Sequence, residues 1–235
     1  MKIKHITFTG IDERTNIAKL KLIQDTYPLA EFGVLVSSNW ANNGNRYMNP
    51  AKLEKLKDRG LNLSCHACGA VARHALNNDW EPLYNLTNGL LPIFNRIQLN
   101  VSCYKPTPKS RGIVPPDFIQ EVIIQQRDQD HTAIYDAIEN KEKFSMLLDA
   151  SGGHGIDTHI VVMGDSKVKV GYAGGISPQN VHLKLCQIYE SRCNGDFWID
   201  MESGVRFNGW FDTDKVVFVL EACKLIINRY ERPIH

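Results

Sequence analysis

The chain has 235 residues, of which 43% are hydrophobic, and a formal net charge of +1. A chain of this length and composition can bury one large hydrophobic core. The near-zero charge argues against nucleic-acid or membrane-surface binding through bulk electrostatics. No run of about 18 apolar residues is present, so we expect no membrane-spanning segment and no membrane partner.

The cysteines and the first residues both indicate a cytoplasmic protein. The six cysteines, at positions 65, 68, 103, 186, 193 and 223, lack the spacing of a disulfide framework. Most of them lie in apolar strand or helix patterns, which predicts reduced thiols. The first residues lead directly into a strand pattern without the apolar core of a signal peptide.

Eight short apolar runs, each followed by turn residues, predict eight strands. They lie at residues 3–9, 32–36, 61–67, 92–100, 121–126, 145–149, 168–173 and 197–201. Helical patterns follow most of these runs. The first is predicted to be capped by Asp12 or Thr15, and the second to begin at Pro50 with Asn49 as its cap. Later helical patterns cover residues 69–76, 132–144 and 212–229.

The strand starts recur at intervals of about 23–33 residues, which is typical of repeated βαβ units. Eight such units without a break in composition predict one domain over residues 1–235, a (β/α)8 TIM barrel. An open doubly wound sheet is the alternative, but its glycine fingerprint normally follows the first strand. Here the glycine-rich turns come late, which favours the barrel. Little room for a helix remains before Val168, so the connection after the sixth strand should be shortened.

Two turns late in the chain have the composition of a phosphate site. Gly174–Gly175 follow an apolar strand and precede a helix start, with Ser177 as the expected N-cap and Pro178 at the first helical position. Ser203–Gly204 form a second small turn after the eighth strand. Backbone N–H groups at such turns cradle phosphate, and a barrel carries its phosphate site in the last strand-to-helix turns.

Inward-facing side chains at the carboxyl ends of barrel strands are candidates for the active site. They are Thr9, Ser37, His66 or Cys68, Gln98, Asn100, Gln125, Asp149 and Asp200. Asp149 follows an apolar run and precedes a Gly-Gly turn, so that its ionised carboxylate would be partly desolvated. This environment favours a general acid. The alternative is that Asp149 only caps the following turn.

Several of these segments resemble the phosphoribosylanthranilate isomerase family. Six patterns of that family are similar to segments of this chain. They are Ala-Gly-Gly-hydrophobic-x-Pro-x-Asn-Val at 173–181, Asp-x-x-Ser-Gly-Val at 200–205, Leu-Leu-Asp at 147–149, Gly-Gly-x-Gly at 152–155, Arg-Tyr-x-x-Pro at 46–50 and Gln-Leu at 98–99. The resemblance implies a small phosphorylated substrate and an Amadori-type aldose–ketose isomerisation in tryptophan biosynthesis, without cofactor or metal.

The resemblance also implies a role for individual residues. Asp149 would be the general acid, and Arg46 would bind the anthranilate carboxylate. The other implied substrate contacts are Gln98, Asn100 and Asp200, and the implied phosphate contacts are Gly153, Gly174, Gly175, Ser203 and Gly204.

The chain departs from the family at the general base. The family has a cysteine at the end of its first strand, where this chain has Thr9. A threonine hydroxyl cannot act as a base near neutral pH without an activator, whereas a thiol can. The strand-four histidine of the family is Asn100 here. The candidate replacement bases are His66, Cys68 and His154.

Other functions remain open at this point. Cys65 and Cys68 have a C-x-x-C spacing, but a zinc site needs a second ligand pair, and none appears at comparable spacing. The chain could be a diverged barrel that acts on another phosphorylated sugar. It could also bind a phosphorylated ligand without turnover. The oligomeric state cannot be predicted.

Overall fold

The computed structural model describes residues 1–42, 44–100, 113–126, 141–149, 169–191 and 195–231. Eight parallel strands close into a barrel in chain order, and β1 pairs with β8. They are β1 (Ile3–Thr9), β2 (Ala30–Val36), β3 (Leu63–Cys68), β4 (Arg96–Asn100), β5 (Glu121–Gln126), β6 (Phe144–Asp149), β7 (Lys169–Ala173) and β8 (Phe197–Met201). The predicted (β/α)8 barrel is therefore confirmed. A single domain over residues 1–235 stays a prediction, and the connection after β6 lies outside the described residues.

The helices lie between the strands. They are α1 (Ile17–Thr26), α2 (Ala70–Leu76), α3 (Glu81–Leu86), α4 (Val181–Glu190) and α5 (Thr213–Tyr230). None of the helices in the described ranges is long and apolar enough to cross a membrane. The helical pattern at residues 132–140 lies outside those ranges, and 141–143 form a short 3-10 helix.

Two helix starts differ from the prediction. Asn16, and not Asp12 or Thr15, caps α1 by accepting a hydrogen bond from the Lys19 amide. Asn49 caps the segment after it as predicted, but Pro50–Leu56 is a 3-10 helix. The sequence signals located both helix starts to within a few residues, while the choice of cap depended on the local chain path.

The main hydrophobic core lies between the strands and the surrounding helices. Successive strand residues point to opposite faces. In β1, Ile6 and Phe8 therefore join this outer core, while Thr7 and Thr9 form hydrogen bonds inside the barrel. Helix α5 covers the core with five buried residues, Val216, Val219, Leu220, Cys223 and Ile226.

The interior of the barrel is charged at the amino ends of the strands. Arg96 on β4 donates a hydrogen bond of 3.0 Å to Glu31 on β2, and both side chains are at most 3% exposed. The Arg96 guanidinium also lies 3.4 Å from Glu121 and stacks on the Trp198 ring at 4.3 Å. Because a desolvated charge is costly when it lacks a partner, loss of either Arg96 or Glu31 alone should be strongly destabilising.

An apolar cluster fills the interior of the barrel on the side of β5 to β8. It contains Ile123, Leu147 and Trp198, with Ala173 packed against them. Gly171 on β7 leaves the space that the Trp198 indole occupies, since a Cβ at this position would lie 2.0 Å from the ring. The indole of Trp198 therefore fits inside the barrel only because the neighbouring strand has a glycine at position 171.

This packing predicts that Gly171→Ala destabilises the protein. The added methyl overlaps the indole, and overpacking of this kind typically costs about 1–3 kcal/mol. Thermal unfolding should show a melting temperature lower by several degrees. The same change in a Trp198→Leu background should cost little, because the overlapping ring is gone. An equal loss in both backgrounds would contradict this explanation.

Candidate active site at the barrel mouth

Four buried side chains meet at the carboxyl ends of the strands, which form the barrel mouth. Thr9, His66, Asp149 and Asp200 come from β1, β3, β6 and β8, and each is at most 6% exposed. All four belong to the inward-facing set expected from the sequence. Their catalytic or binding roles stay predictions, and the geometry below is what bears on them.

Thr9 lies between Asp200 and His66. Its hydroxyl donates a hydrogen bond of 2.7 Å to Asp200 Oδ1. The two ring nitrogens of His66 lie 3.4 and 3.5 Å from the Thr9 hydroxyl oxygen. His66 Nε2 also lies 3.0 Å from the Ser64 hydroxyl. A continuous polar network therefore runs from β3 through β1 to β8.

Gly33 on β2 makes room for this network. A Cβ at Gly33 would lie 2.7 Å from the Thr9 hydroxyl oxygen and 2.8 Å from His66 Nε2. Both distances are shorter than a normal van der Waals contact. A side chain on this part of β2 would therefore separate Thr9 from His66.

The electrostatic environment of Asp200 disfavours its ionised form. Burial raises its pKa to about 7, and the charges of Glu31, Asp149 and Glu202 act in the same direction. The hydrogen bond from Thr9 opposes these effects because it stabilises the carboxylate. Asp200 can therefore exchange a proton near neutral pH.

The two described candidates for a replacement base have the wrong acidity. Burial, together with the Arg96 charge, lowers the pKa of His66 to about 3. Burial raises the pKa of the Cys68 thiol, so that it stays protonated near neutral pH. These shifts argue against His66 and Cys68 as general bases. His154 lies outside the described residues, as does the predicted phosphate contact Gly153.

Asp149 occupies the end of β6 with its carboxylate hydrogen-bonded. Gln125 Nε2 on β5 donates to Asp149 Oδ2 at 2.8 Å. On the other side, Asp149 is in register with Ala173 on β7, and Asp200 is on the next strand along. The small side chain of Ala173 leaves the two carboxylates facing a common space at the mouth.

The remaining predicted contacts on β3 and β4 bond to each other. Gln98 donates to Asn100 at 2.9 Å, and Asn100 donates to the Cys68 sulfur at 3.4 Å. Cys65 belongs to the outer core, on the face opposite Cys68. The C-x-x-C spacing thus does not bring its two sulfurs together. Among the described residues, no group of three or more His, Cys, Asp or Glu side chains could hold a metal ion.

The two glycine turns lie side by side at the mouth. Gly174 and Gly175 have φ values of +106° and +64°, which favour glycine. A Cβ at Gly204 would lie 2.2 Å from the Ile176 carbonyl oxygen, so only glycine allows this close approach. The amides of Gly174, Gly175, Ser203 and Gly204 donate to no acceptor among the described residues.

The helix after the first glycine turn begins later than predicted. Helix α4 starts at Val181, and Asn180 organises the turn before it. The Asn180 side chain accepts from the Ser177 amide at 2.8 Å and donates to the Gly175 carbonyl at 2.9 Å. The prediction of Ser177 as the N-cap and Pro178 as the first helical position was therefore wrong. An asparagine that holds both ends of a turn leaves no distinctive signal in one sequence.

Arg46 holds a carboxylate from the protein itself. Its Nε and Nη2 donate to the two oxygens of Glu202 at 2.5 and 2.8 Å. This hydrogen bonding raises the pKa of Arg46. The paired fork matches the geometry by which arginine binds a ligand carboxylate. Glu202 was missed in the sequence, where its only signal was its position between Asp200 and Ser203.

Arg206 joins the loops around the mouth, a role that no sequence pattern indicated. Its guanidinium donates to the carbonyls of Gly10 and Gly209, both at 2.7 Å, and lies 3.4 Å from Asp12. Asp12 in turn accepts from the Phe211 amide. Asp12, expected as a helix cap, instead connects the loop after β1 to the segment after β8.

Comparison with known families gives one match, over the second half of the barrel. A family model described as N-(5'phosphoribosyl)anthranilate (PRA) isomerase matches residues 116–222. This range contains β5 to β8, both mouth aspartates and both glycine turns. No curated protein matches the sequence.

Solved structures match the fold over nearly the whole chain. Phosphoribosylanthranilate isomerase from Thermococcus kodakaraensis has a TM-score of 0.57 and 15% identity, covering 94% of this chain and 99% of that one. The corresponding isomerase from Pyrococcus furiosus has a TM-score of 0.58 and 15% identity, covering 94% and 98%. The chain is therefore similar to phosphoribosylanthranilate isomerases in its barrel fold.

The same architecture also occurs in a synthase. A truncated form of 3-deoxy-D-arabino-heptulosonate 7-phosphate synthase from Thermotoga maritima has a TM-score of 0.53 and 11% identity, covering 97% of this chain and 87% of that one. Identities this low establish the fold alone. The activity of this barrel therefore has to be argued from its site.

The ion pair at the mouth predicts an effect on carboxylate binding. Glu202→Gln should raise the affinity for an anthranilate-type ligand about 2- to 5-fold, because an exposed ion pair contributes about 0.2–1 kcal/mol and Glu202 competes for Arg46. Arg46→Lys should lower that affinity. Calorimetric titration would measure both, and inorganic phosphate binding should be unchanged. Equal changes for the two ligands would show the pair to be structural only.

Proposed function

We propose that the chain catalyses the Amadori-type isomerisation of N-(5'-phosphoribosyl)anthranilate, an aldose-to-ketose rearrangement of tryptophan biosynthesis. The proposal assigns the mouth of the isomerase-like barrel to a small phosphorylated substrate. Hydrogen only moves within the substrate in such a rearrangement, so the reaction needs no redox cofactor. A cytoplasmic location agrees with this role and stays a prediction.

The observation that carries the proposal is the pair of adjacent glycine turns. They present four backbone amides without an acceptor among the described residues, and the close approach at Gly204 brings the turns together. Amides arranged in this way bind phosphate without a cationic side chain. The substrate phosphate would anchor here, which directs the sugar toward Asp149 and Asp200.

The rest of the mouth fits the other parts of this substrate. The rearrangement needs an acid that protonates the furanose ring oxygen and a base that removes the C2′ proton. Asp149 at the end of β6 is the proposed acid. Arg46 would bind the anthranilate carboxylate once Glu202 releases it, and Gln98 and Asn100 on β4 are the other proposed substrate contacts.

The Arg46–Glu202 pair also favours a second candidate function. Because Glu202 already satisfies Arg46, the site could accept a phosphorylated sugar that carries no carboxylate. Such a substrate would leave the ion pair intact. Turnover of phosphoribosylanthranilate by the wild-type protein decides between the two functions, and binding of the ligand without turnover would indicate a barrel that has lost its activity.

Phosphate binding can be tested at Gly175. Gly175→Val should abolish binding of inorganic phosphate and of phosphorylated ligands, because the side chain fills the turn and strains its backbone. Gly60→Val is the matched control, since Gly60 has a φ of +62° against +64° at Gly175 but lies away from the mouth. The control should lose a similar amount of stability and keep phosphate affinity. Retained affinity in Gly175→Val would rule out the proposed phosphate site.

The acid can be tested with Asp149→Asn in a fluorescence assay of phosphoribosylanthranilate turnover. The amide keeps the hydrogen-bonding shape but has no transferable proton, so kcat should fall about 10²–10⁴-fold. Asp196→Asn provides the control, because Asp196 pairs with Lys4 at the other end of the barrel. Full activity of Asp149→Asn would overturn the assignment of the acid. An inactive wild-type protein would overturn the proposed function.

A further inference from the structure

We infer that Asp200 is the general base of the proposed isomerisation, in place of a base on the first strand, and that Thr9 positions its carboxylate. This inference rests on the proposed function and assigns the proton-abstracting group that the sequence left open. Asp200 was expected only as a substrate contact. Four features support this role: the position of Asp200, its second carboxylate oxygen, its charged surroundings and the chemistry of the step.

The position of Asp200 brings a carboxylate to the end of β1. Strands β1 and β8 close the barrel, and Asp200 is in register with Thr7. The next inward residue of β1 is Thr9, whose hydroxyl lies 2.7 Å from Asp200 Oδ1. A carboxylate therefore lies beside the position where a cysteine base was expected and Thr9 is found.

One oxygen of Asp200 is held, and the other is available. Thr9 occupies Oδ1, whereas no hydrogen bond within the described part of the chain goes to Oδ2. The nearest ring nitrogen of His66 is 3.9 Å from Oδ2, beyond hydrogen-bonding distance. The side chain retains 8% exposure. Asp200 is thus fixed in orientation by Thr9 while Oδ2 can accept a proton from a substrate.

The surroundings of Asp200 are mostly negative or neutral. Four charged or titratable groups surround it: Glu31 on β2, His66 on β3, Asp149 on β6 and Glu202 after β8. On the adjacent β7, the inward residues near Asp200 are Gly171 and Ala173. Burial and the three carboxylates together raise the pKa of Asp200 to about 7. A base of this strength is ionised in part near neutral pH and binds an abstracted proton well.

The proposed step balances within the substrate. Asp149 first gives a proton to the ring oxygen, the C1′–O bond breaks, and a C1′=N iminium forms. Asp200 Oδ2 then takes the C2′ proton. The C2′–H electron pair forms a C1′=C2′ double bond, and the iminium electrons return to nitrogen. In the tautomerisation of the enolamine to the ketone, C1′ takes the proton from Asp200 and the 2′-hydroxyl proton goes to Asp149, so both groups are restored without an external oxidant or reductant.

The acidic limb of the pH profile of kcat/KM, where activity rises with pH, distinguishes the possible bases. With Asp200 as the base, activity should rise with pH through about 7, because the carboxyl must lose its proton before it can accept another. A His66 base would place this limb near pH 3. A Cys68 base would place it on the alkaline side, because its pKa is raised. Either of these positions would overturn the inference.

Variants at Asp200 and Thr9 provide the second readout. Asp200→Asn should lower kcat about 10²–10⁴-fold with KM little changed, and Asp196→Asn should match the wild type. Thr9→Val keeps nearly the same shape but removes the hydrogen bond that stabilises the carboxylate. The acidic limb should therefore move to higher pH in Thr9→Val. This shift would support Asp200 even if Asp200→Asn did not fold.

The outcomes separate this inference from the proposed function. If the wild type is active, two results would overturn the role of Asp200 alone. One is a fully active Asp200→Asn variant, and the other is a Thr9→Val variant whose acidic limb stays at the wild-type pH. Thr9→Cys should bring no gain in rate, since a base is already present beside it. A large gain would show that the wild type lacks a base. An inactive wild type would overturn both proposals.

Discussion

Pairing of β1 with β8 is the interaction on which the rest of the molecule depends. It closes the sheet and brings Thr9 within 2.7 Å of Asp200, although 191 positions separate them in the chain. The same closure brings the loops after β1 and β8 together, where Arg206 joins them. Because a closed barrel has no free edge, the inward residues share a space that side chains must fill.

Different groups fill different parts of the interior. At the amino ends of the strands, Glu31 balances the charge of Arg96, and the Arg96 guanidinium stacks on Trp198. Apolar side chains fill the interior on the side of β5 to β8, and several carboxylates lie close together at the mouth. Buried carboxylates that face one another resist ionisation. The proposed role of Asp200 follows from this arrangement, because burial and the neighbouring carboxylates raise its pKa to about 7.

The sequence predicted the sheet better than the site. The bounds of β5 and β8 were obtained from local apolar runs, and inward alternation identified Thr9, Asp149 and Asp200 as mouth residues. Local patterns cannot show which distant side chains pair. The Arg46–Glu202 ion pair, the Gly171–Trp198 packing and the low pKa of His66 all depend on contacts between different strands or loops. The hypotheses about His66 and Cys68 as bases lost support for that reason.

A crystal structure with a stable analogue of the rearranged product would test the central claim most directly. The account predicts phosphate on the amides of Gly174, Gly175, Ser203 and Gly204. It also predicts C2′ within about 3.5 Å of Asp200 Oδ2, a near-attack distance for proton transfer. Phosphate bound elsewhere, or C2′ turned away from Asp200 toward another base, would contradict it.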